Sequence, residues 1–131
     1  MSLQPPESAE VFETSTSKYW FANGFMYVVT KKGTPPNLET HVKEMEEFKR
    51  RADNKKVCAI IEVNDSTPTS RAVRDYNTKA LPEMFNAIAF IINKPVMKML
   101  ASLYLGVTTT PFPVKMFSNE NEAREWVKKY L

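Results

Sequence analysis

Residues 113–131 read PVKMFSNENEAREWVKKYL, and every local signal in this stretch points to one strand running into one helix. Pro113 to Phe117 is short and apolar. Asn119 stands where a helix N-cap belongs, and Glu122 follows three residues later in the capping-box position. Ala123, Trp126, Val127, Tyr130 and Leu131 then recur at i, i+3, i+4, i+7 and i+8, which gathers them on one helical face. Glu120 and Glu122 near the start, with Lys128 and Lys129 near the end, complement the helix dipole. A face of this kind requires a sheet to dock on, so the chain is expected to end in a β-strand and a covering helix.

Working back towards the N-terminus, the same alternation repeats. Val11 to Phe21 and Phe25 to Lys31 are rich in β-branched and aromatic residues, and Asn23-Gly24 between them is a strong hairpin signal. Gly33-Thr34-Pro35-Pro36 breaks the chain. Asn37 then caps a predicted helix whose Leu38, Val42, Met45, Phe48 and Ala52 share a stripe. Lys56 to Val63 is a nearly continuous apolar run, as expected of a strand covered on both faces. After the polar loop Asn64 to Pro68, Thr69 or Ser70 caps a second helix with Ala72, Val73, Tyr76, Ala80 and Leu81 inward, which Pro82 ends or kinks. Ala87 to Ile92 is another two-faced strand. Lys94-Pro95 opens a third helix that runs to about Leu105, before Gly106. The expected class is therefore α/β: a mixed, mostly parallel sheet with an N-terminal β-hairpin and four helices.

The chain has 131 residues, close to the usual size of one domain, so residues 10–131 are expected to form a single domain behind a flexible leader, residues 1–9. MSLQPPESAE lacks the basic and apolar regions of a secretory signal. Hydrophobic residues make up 43% and charged residues 25%, and no apolar run approaches the roughly 18–20 residues that span a bilayer. Cys58 is the lone cysteine and lies within an apolar run, where it reads as a buried small hydrophobe, and a reducing cytoplasm is the expected compartment. The formal charge of +3 is modest. The densest basic segment, Lys49-Arg50-Arg51 with Lys55-Lys56, falls at a helix C-terminus, where it serves the dipole, so no nucleic acid is expected as a partner.

The chemistry-bearing residues are few. His41 is the only histidine, with no second ligand at metal spacing, and it reads as a surface or half-buried helix position. The three glycines, at 24, 33 and 106, cannot spell a dinucleotide or phosphate-binding loop, and no nucleophile elbow occurs, so neither cofactor nor enzymatic activity is expected. The third predicted helix departs from ordinary patterning. Val96, Met97, Met99, Leu100, Leu103 and Tyr104 point in nearly every helical direction, which suggests a partner or lipid surface.

The order of elements, together with Ser70-Arg71-Ala72-Val73-Arg74, Ala87-Ile88-Ala89-Phe90-Ile91, Leu105-Gly106, Pro113 and Phe117 through Trp126, resembles the sulfate-transporter and anti-sigma-factor-antagonist (STAS), or SpoIIAA-like, domain. The resemblance is closer to a bacterial STAS/SEC14-like branch and covers about Lys56 to Leu131. It implies a small, non-enzymatic interaction or regulatory domain, a homodimer or a binder of a protein partner. In some relatives it is switched by phosphorylation where a strand-end loop enters a helix. Here the candidates are Ser66, Thr67, Thr69 and Ser70, with Arg71 and Arg74 nearby. Phosphate at a helix N-terminus is favoured by the dipole and free amides. The glycine that follows the Asp-Ser pair in switched relatives is replaced by Thr67-Pro68 after Asp65-Ser66. The alternative reading is a lipid-binding or peripheral membrane-associating protein, carried by the apolar third helix with Lys94 and Lys98 at its flank.

Overall fold

The computed structural model describes residues 3–31, 37–64, 70–92 and 113–131. Within them the chain is α/β. The elements are β1 (Phe12–Glu13), β2 (Ser17–Ala22), β3 (Phe25–Thr30), α1 (Leu38–Arg51), β4 (Val57–Glu62), α2 (Arg71–Met84), β5 (Phe85–Ile91), β6 (Val114–Phe117) and α3 (Glu120–Val127), closed by a 3₁₀ turn, Lys128–Tyr130. One mixed sheet of six strands runs in sequence order from β1 to β6. The β1–β2 and β2–β3 pairs are antiparallel, and β3 through β6 are parallel. Three helices are described. The third predicted helix, with Val96, Met97, Met99, Leu100, Leu103 and Tyr104, falls outside the described residues.

Local chemistry explains most boundaries. Asn23 and Gly24 both adopt positive φ, 56° and 83°, the pair of left-handed residues that a two-residue hairpin turn requires, and Ala22 pairs with Phe25 across it. Asn37, Ser70 and Asn119 each cap a helix by accepting a backbone N–H through the side chain, from Thr40, Val73 and Glu122 respectively. Replacing Asn119 with alanine strands the Glu122 amide and is expected to cost about 0.5–2 kcal/mol, measurable as a lower midpoint in urea unfolding.

The strand predicted from Val11 to Phe21 is two strands. The Thr14 amide donates to the Ser17 carbonyl at 2.8 Å, and the Thr14 hydroxyl accepts from the amides of Thr16 and Ser17 at 3.2 and 2.9 Å. The local hydroxyl bonds outweigh the β propensity of the threonines and turn the chain. Pro82 does not end α2; the helix continues to Met84, where the Phe85 amide donates back to the Leu81 carbonyl and β5 begins at once. Leu38, Ala72 and Leu131, assigned to inward stripes, are exposed. For Leu131 the cause is the 3₁₀ turn after α3, whose three residues per turn carry the last positions out of α-helical phase.

Sequential parallel strands with right-handed crossovers place their connecting helices on one face. Met45 and Phe48 of α1 and Met84 of α2 accordingly share a cluster with Tyr19, Met26, Ala59 and Ile88. On the opposite face, Ala123 and Val127 of α3 pack with Trp20, Tyr27, Ile60, Ala89 and Phe117. The alanines Ala59, Ala87 and Ala89 are fully buried on the two central strands and let both layers approach the sheet closely. Leu3, in the segment read as a leader, is only 6% exposed and belongs to the same cluster as α3.

Candidate functional site

Open α/β sheets bind ligands and partners beyond the carboxyl ends of their parallel strands, where the chain turns into the next helix. Here that edge is built by the ends of β3 and β4. The Thr30 hydroxyl donates to the Glu62 carbonyl at 3.2 Å and accepts the Asn64 amide at 2.8 Å. The Asn64 side-chain amide donates to the Thr30 carbonyl and to Glu62 Oε2, both at 3.0 Å. These bonds clamp the chain as it leaves β4.

Ser70 is exposed and its hydroxyl oxygen accepts the Val73 amide at 3.3 Å. Arg71 is exposed on the first turn of α2 and pairs with Asp75 at 3.8 Å, also exposed, so the pair contributes little to stability. Arg74 is half-buried and its amide donates to the Ser70 carbonyl at 3.0 Å. Ser70, Arg71 and Arg74 thus lie within the N-cap and first turn of α2. Ser66, Thr67 and Thr69 lie outside the described residues.

The first turn of α1 is tied to α2 beside this edge. His41 Nε2 lies 2.6 Å from Asn77 Oδ1, and its ring meets Tyr76 edge-on at 5.6 Å. With an amide oxygen as acceptor, Nε2 is the donor in this bond. His41 therefore acts as a spacer between the two helices, and it is half-buried as read from the sequence. Among the described residues no group of three His, Cys, Asp or Glu side chains could hold a metal ion. Cys58 is buried, and burial pushes its thiol up from the ordinary value, which disfavours the nucleophilic thiolate.

Two features escaped the sequence. Glu62 is a carboxylate only 1% exposed, and besides Asn64 it accepts the Leu3 backbone amide at 2.9 Å. Its one sequence signal is its place as the single charged residue ending an apolar strand. The second is a set of hydroxyls from the β1–β2 turn and β2 gathered on two carboxylates of α1. Glu44 Oε2 accepts from the hydroxyls of Thr14, Thr16 and Ser17, and Glu47 Oε2 accepts from Tyr19 at 2.6 Å. Phe12 stacks on Tyr19, and Arg51 lies 4.0 Å over the Phe12 ring.

Tyr19 supplies a pH test of this packing. Burial, then the hydrogen bond and charge of Glu47, push its phenol well above the ordinary value of 10.0. The neutral phenol is favoured by folding. The resulting stability is fully present below about pH 10 and is lost as pH rises through the interval above it. Urea midpoints measured across the alkaline range are expected to fall from about pH 10 upwards. Tyr19→Phe is expected to remove that part of the slope, and an unchanged slope would assign the ionisation to another group.

A small cleft of about 10 Å³ lies at the opposite end of the sheet, lined by Phe48, Val57, Met84 and Phe85 with Lys49, Lys55 and Glu83. The C-termini of α1 and α2 converge there, so the lysines complement the carbonyl ends of the helices. The strand-end edge is therefore the better candidate. No helix among the described residues is long and apolar enough to cross a membrane.

No curated protein and no solved structure matches the chain significantly. One family does match, over residues 19–131, from the second strand to the C-terminus and so through both faces of the sheet and the strand-end edge. The chain belongs to the family described as a domain of unknown function, DUF7793.

Proposed function

We propose that this chain is a STAS-like protein-interaction or regulatory domain, non-enzymatic and cytoplasmic, that works as a homodimer and presents the start of α2 to its partner. The observation that carries the reading is the placement of Ser70. It is an exposed hydroxyl capping the helix that follows a central parallel strand in the chain, with Arg71 next to it on the first turn. Phosphate attached there would meet free amides, the positive end of the helix dipole and a guanidinium. The hairpin and sequential parallel strands support the same reading, because they are the arrangement that the STAS resemblance implies. The lipid-binding alternative rests on Val96 to Tyr104, outside the described residues.

Ser70→Asp isolates the charge. Aspartate caps helices as well as serine does, so the fold is retained while a negative charge is added at the candidate surface. In an isologous dimer that charge enters twice. Sedimentation equilibrium of the wild-type chain is expected to show a dimer, weakened about tenfold or more in Ser70→Asp, the effect of roughly 1.4 kcal/mol of like-charge cost. Ser70→Ala should retain the wild-type association. A wild-type chain monomeric at every concentration, or a Ser70→Asp dimer as tight as wild type, would overturn the reading. A monomer carrying an apolar adduct in native mass spectrometry would replace it with lipid binding.

A further inference from the structure

The two faces of the sheet are covered by different means. One face carries α1 and α2, of fourteen residues each, but on the other face α3 has only eight residues and packs chiefly on β4, β5 and β6. Trp20 and Tyr27 lie on the β2–β3 half of that face, stacked with ring centroids 5.7 Å apart, and each is only 3% exposed. α3 shares their cluster but packs chiefly on the other strands, so it supplies only part of their cover. The N-terminal segment is placed to supply the rest. Leu3 is buried in the same cluster and its amide reaches Glu62 at the end of β4, while Phe12 begins β1 at the far edge of the sheet. Residues 4–11 must therefore traverse β3 and β2, and Ala9 packs against the cluster on the way.

The attachment is sparse. Gln4, Pro6, Glu7, Ser8 and Glu10 are exposed, so the crossing is held by Leu3, the Leu3–Glu62 hydrogen bond, the half-buried Pro5 and Ala9, and a short turn in which the Ala9 amide donates to the Pro6 carbonyl at 3.0 Å. A few apolar contacts set against the entropy of ordering a whole segment leave a small net attachment. We propose that residues 3–9 form a displaceable strap, an intramolecular ligand that opens without unfolding the sheet. Its release uncovers the Trp20–Tyr27 stack and frees one oxygen of the Glu62 carboxylate. The uncovered groove takes back an extended peptide with a leucine-sized side chain and a free backbone N–H beside it, which is the chemistry of the strap itself. This device is independent of the role given to Ser70.

The test uses the full chain with Trp126→Phe, which leaves Trp20 as the only tryptophan of the two in the sequence. Leu3→Asp removes the apolar anchor and sets a second carboxylate beside Glu62, which should eject the strap. Acrylamide quenching of Trp20 is expected to rise several-fold in Leu3→Asp, and by less in Leu3→Ala, with the far-ultraviolet circular dichroism unchanged. The synthetic peptide MSLQPPESAE, added in trans, should bind Leu3→Asp and reverse the quenching, leaving the strapped parent unaffected. Unchanged quenching in folded Leu3→Asp would overturn the proposal. So would failure of the peptide to restore protection, or loss of cooperative folding in both Leu3→Asp and Leu3→Ala, because the segment would then be integral core.

Discussion

Trp20→Ala is expected to destabilise the domain by about 3–5 kcal/mol, the range for truncating a buried aromatic side chain. Trp20 is 3% exposed and pairs across the β2–β3 hairpin with Tyr27, their rings 9° from parallel. Truncation removes a large apolar area, leaves a cavity against the Tyr27 ring and weakens the cover over Ile60 and Phe25 in the same cluster. Domains of this size are typically stable by about 5–15 kcal/mol, so a large part of the total is at stake. Urea unfolding followed by circular dichroism is the direct measurement. A loss below about 1 kcal/mol would mean that the indole makes little packing contribution, contrary to the observed stack.

Glu62→Lys is expected to cost up to about 3–5 kcal/mol, the range for an uncompensated buried charge, with the full amount reached only while the N-terminal segment stays closed over it. The reason is geometric. The carboxylate accepts from the Leu3 amide and the Asn64 side-chain amide, so an ammonium in its place would face two donors in a site 1% exposed. Lifting the N-terminal segment would let the lysine reach water, and the variant should therefore show early proteolysis of residues 1–10 as well as a lower urea midpoint. Glu62→Gln separates charge from shape. The amide oxygen can still accept one of the two donors, and removal of the buried charge offsets part of the lost bond, so a cost of about 1 kcal/mol is expected. Equal stability of wild type and Glu62→Lys would show that position 62 is solvated without moving the segment.

How much of this was legible in the sequence follows the range of the forces. Asn119 and Asn37 could be read as caps, and the cap of α2 could be narrowed to Thr69 or Ser70, because a capping side chain binds an amide only three residues away. Asn23-Gly24 could be read as a turn because the two residues that need positive φ are the turn itself. The apolar runs at Val57 to Ile61 and Ala87 to Ile92 reported strands covered on both faces, and their alternation with helices carried the α/β class. Within this short range, the errors came from competition between local effects. Thr14 to Thr16 had β propensity but supplied hydroxyls for a turn, and the last turn of the C-terminal helix tightened and moved Leu131 out of its stripe.

The sequence by itself determined the caps that start the helices, the Asn23-Gly24 turn, most of the inward-facing residues, and that parallel strands dominate the sheet. Those properties depend on neighbours within a helical turn or a strand pleat, and each leaves a periodic or capping signature. Only the tertiary structure decided that Glu62 meets Leu3 across 59 positions, that Glu44 gathers Thr14, Thr16 and Ser17 across about 30, and that α3 takes the face opposite α1 and α2. Such pairings leave no local mark, because either partner alone reads as an ordinary surface or core residue. They come into being when chain closure brings distant segments together and burial makes an unpaired polar group costly.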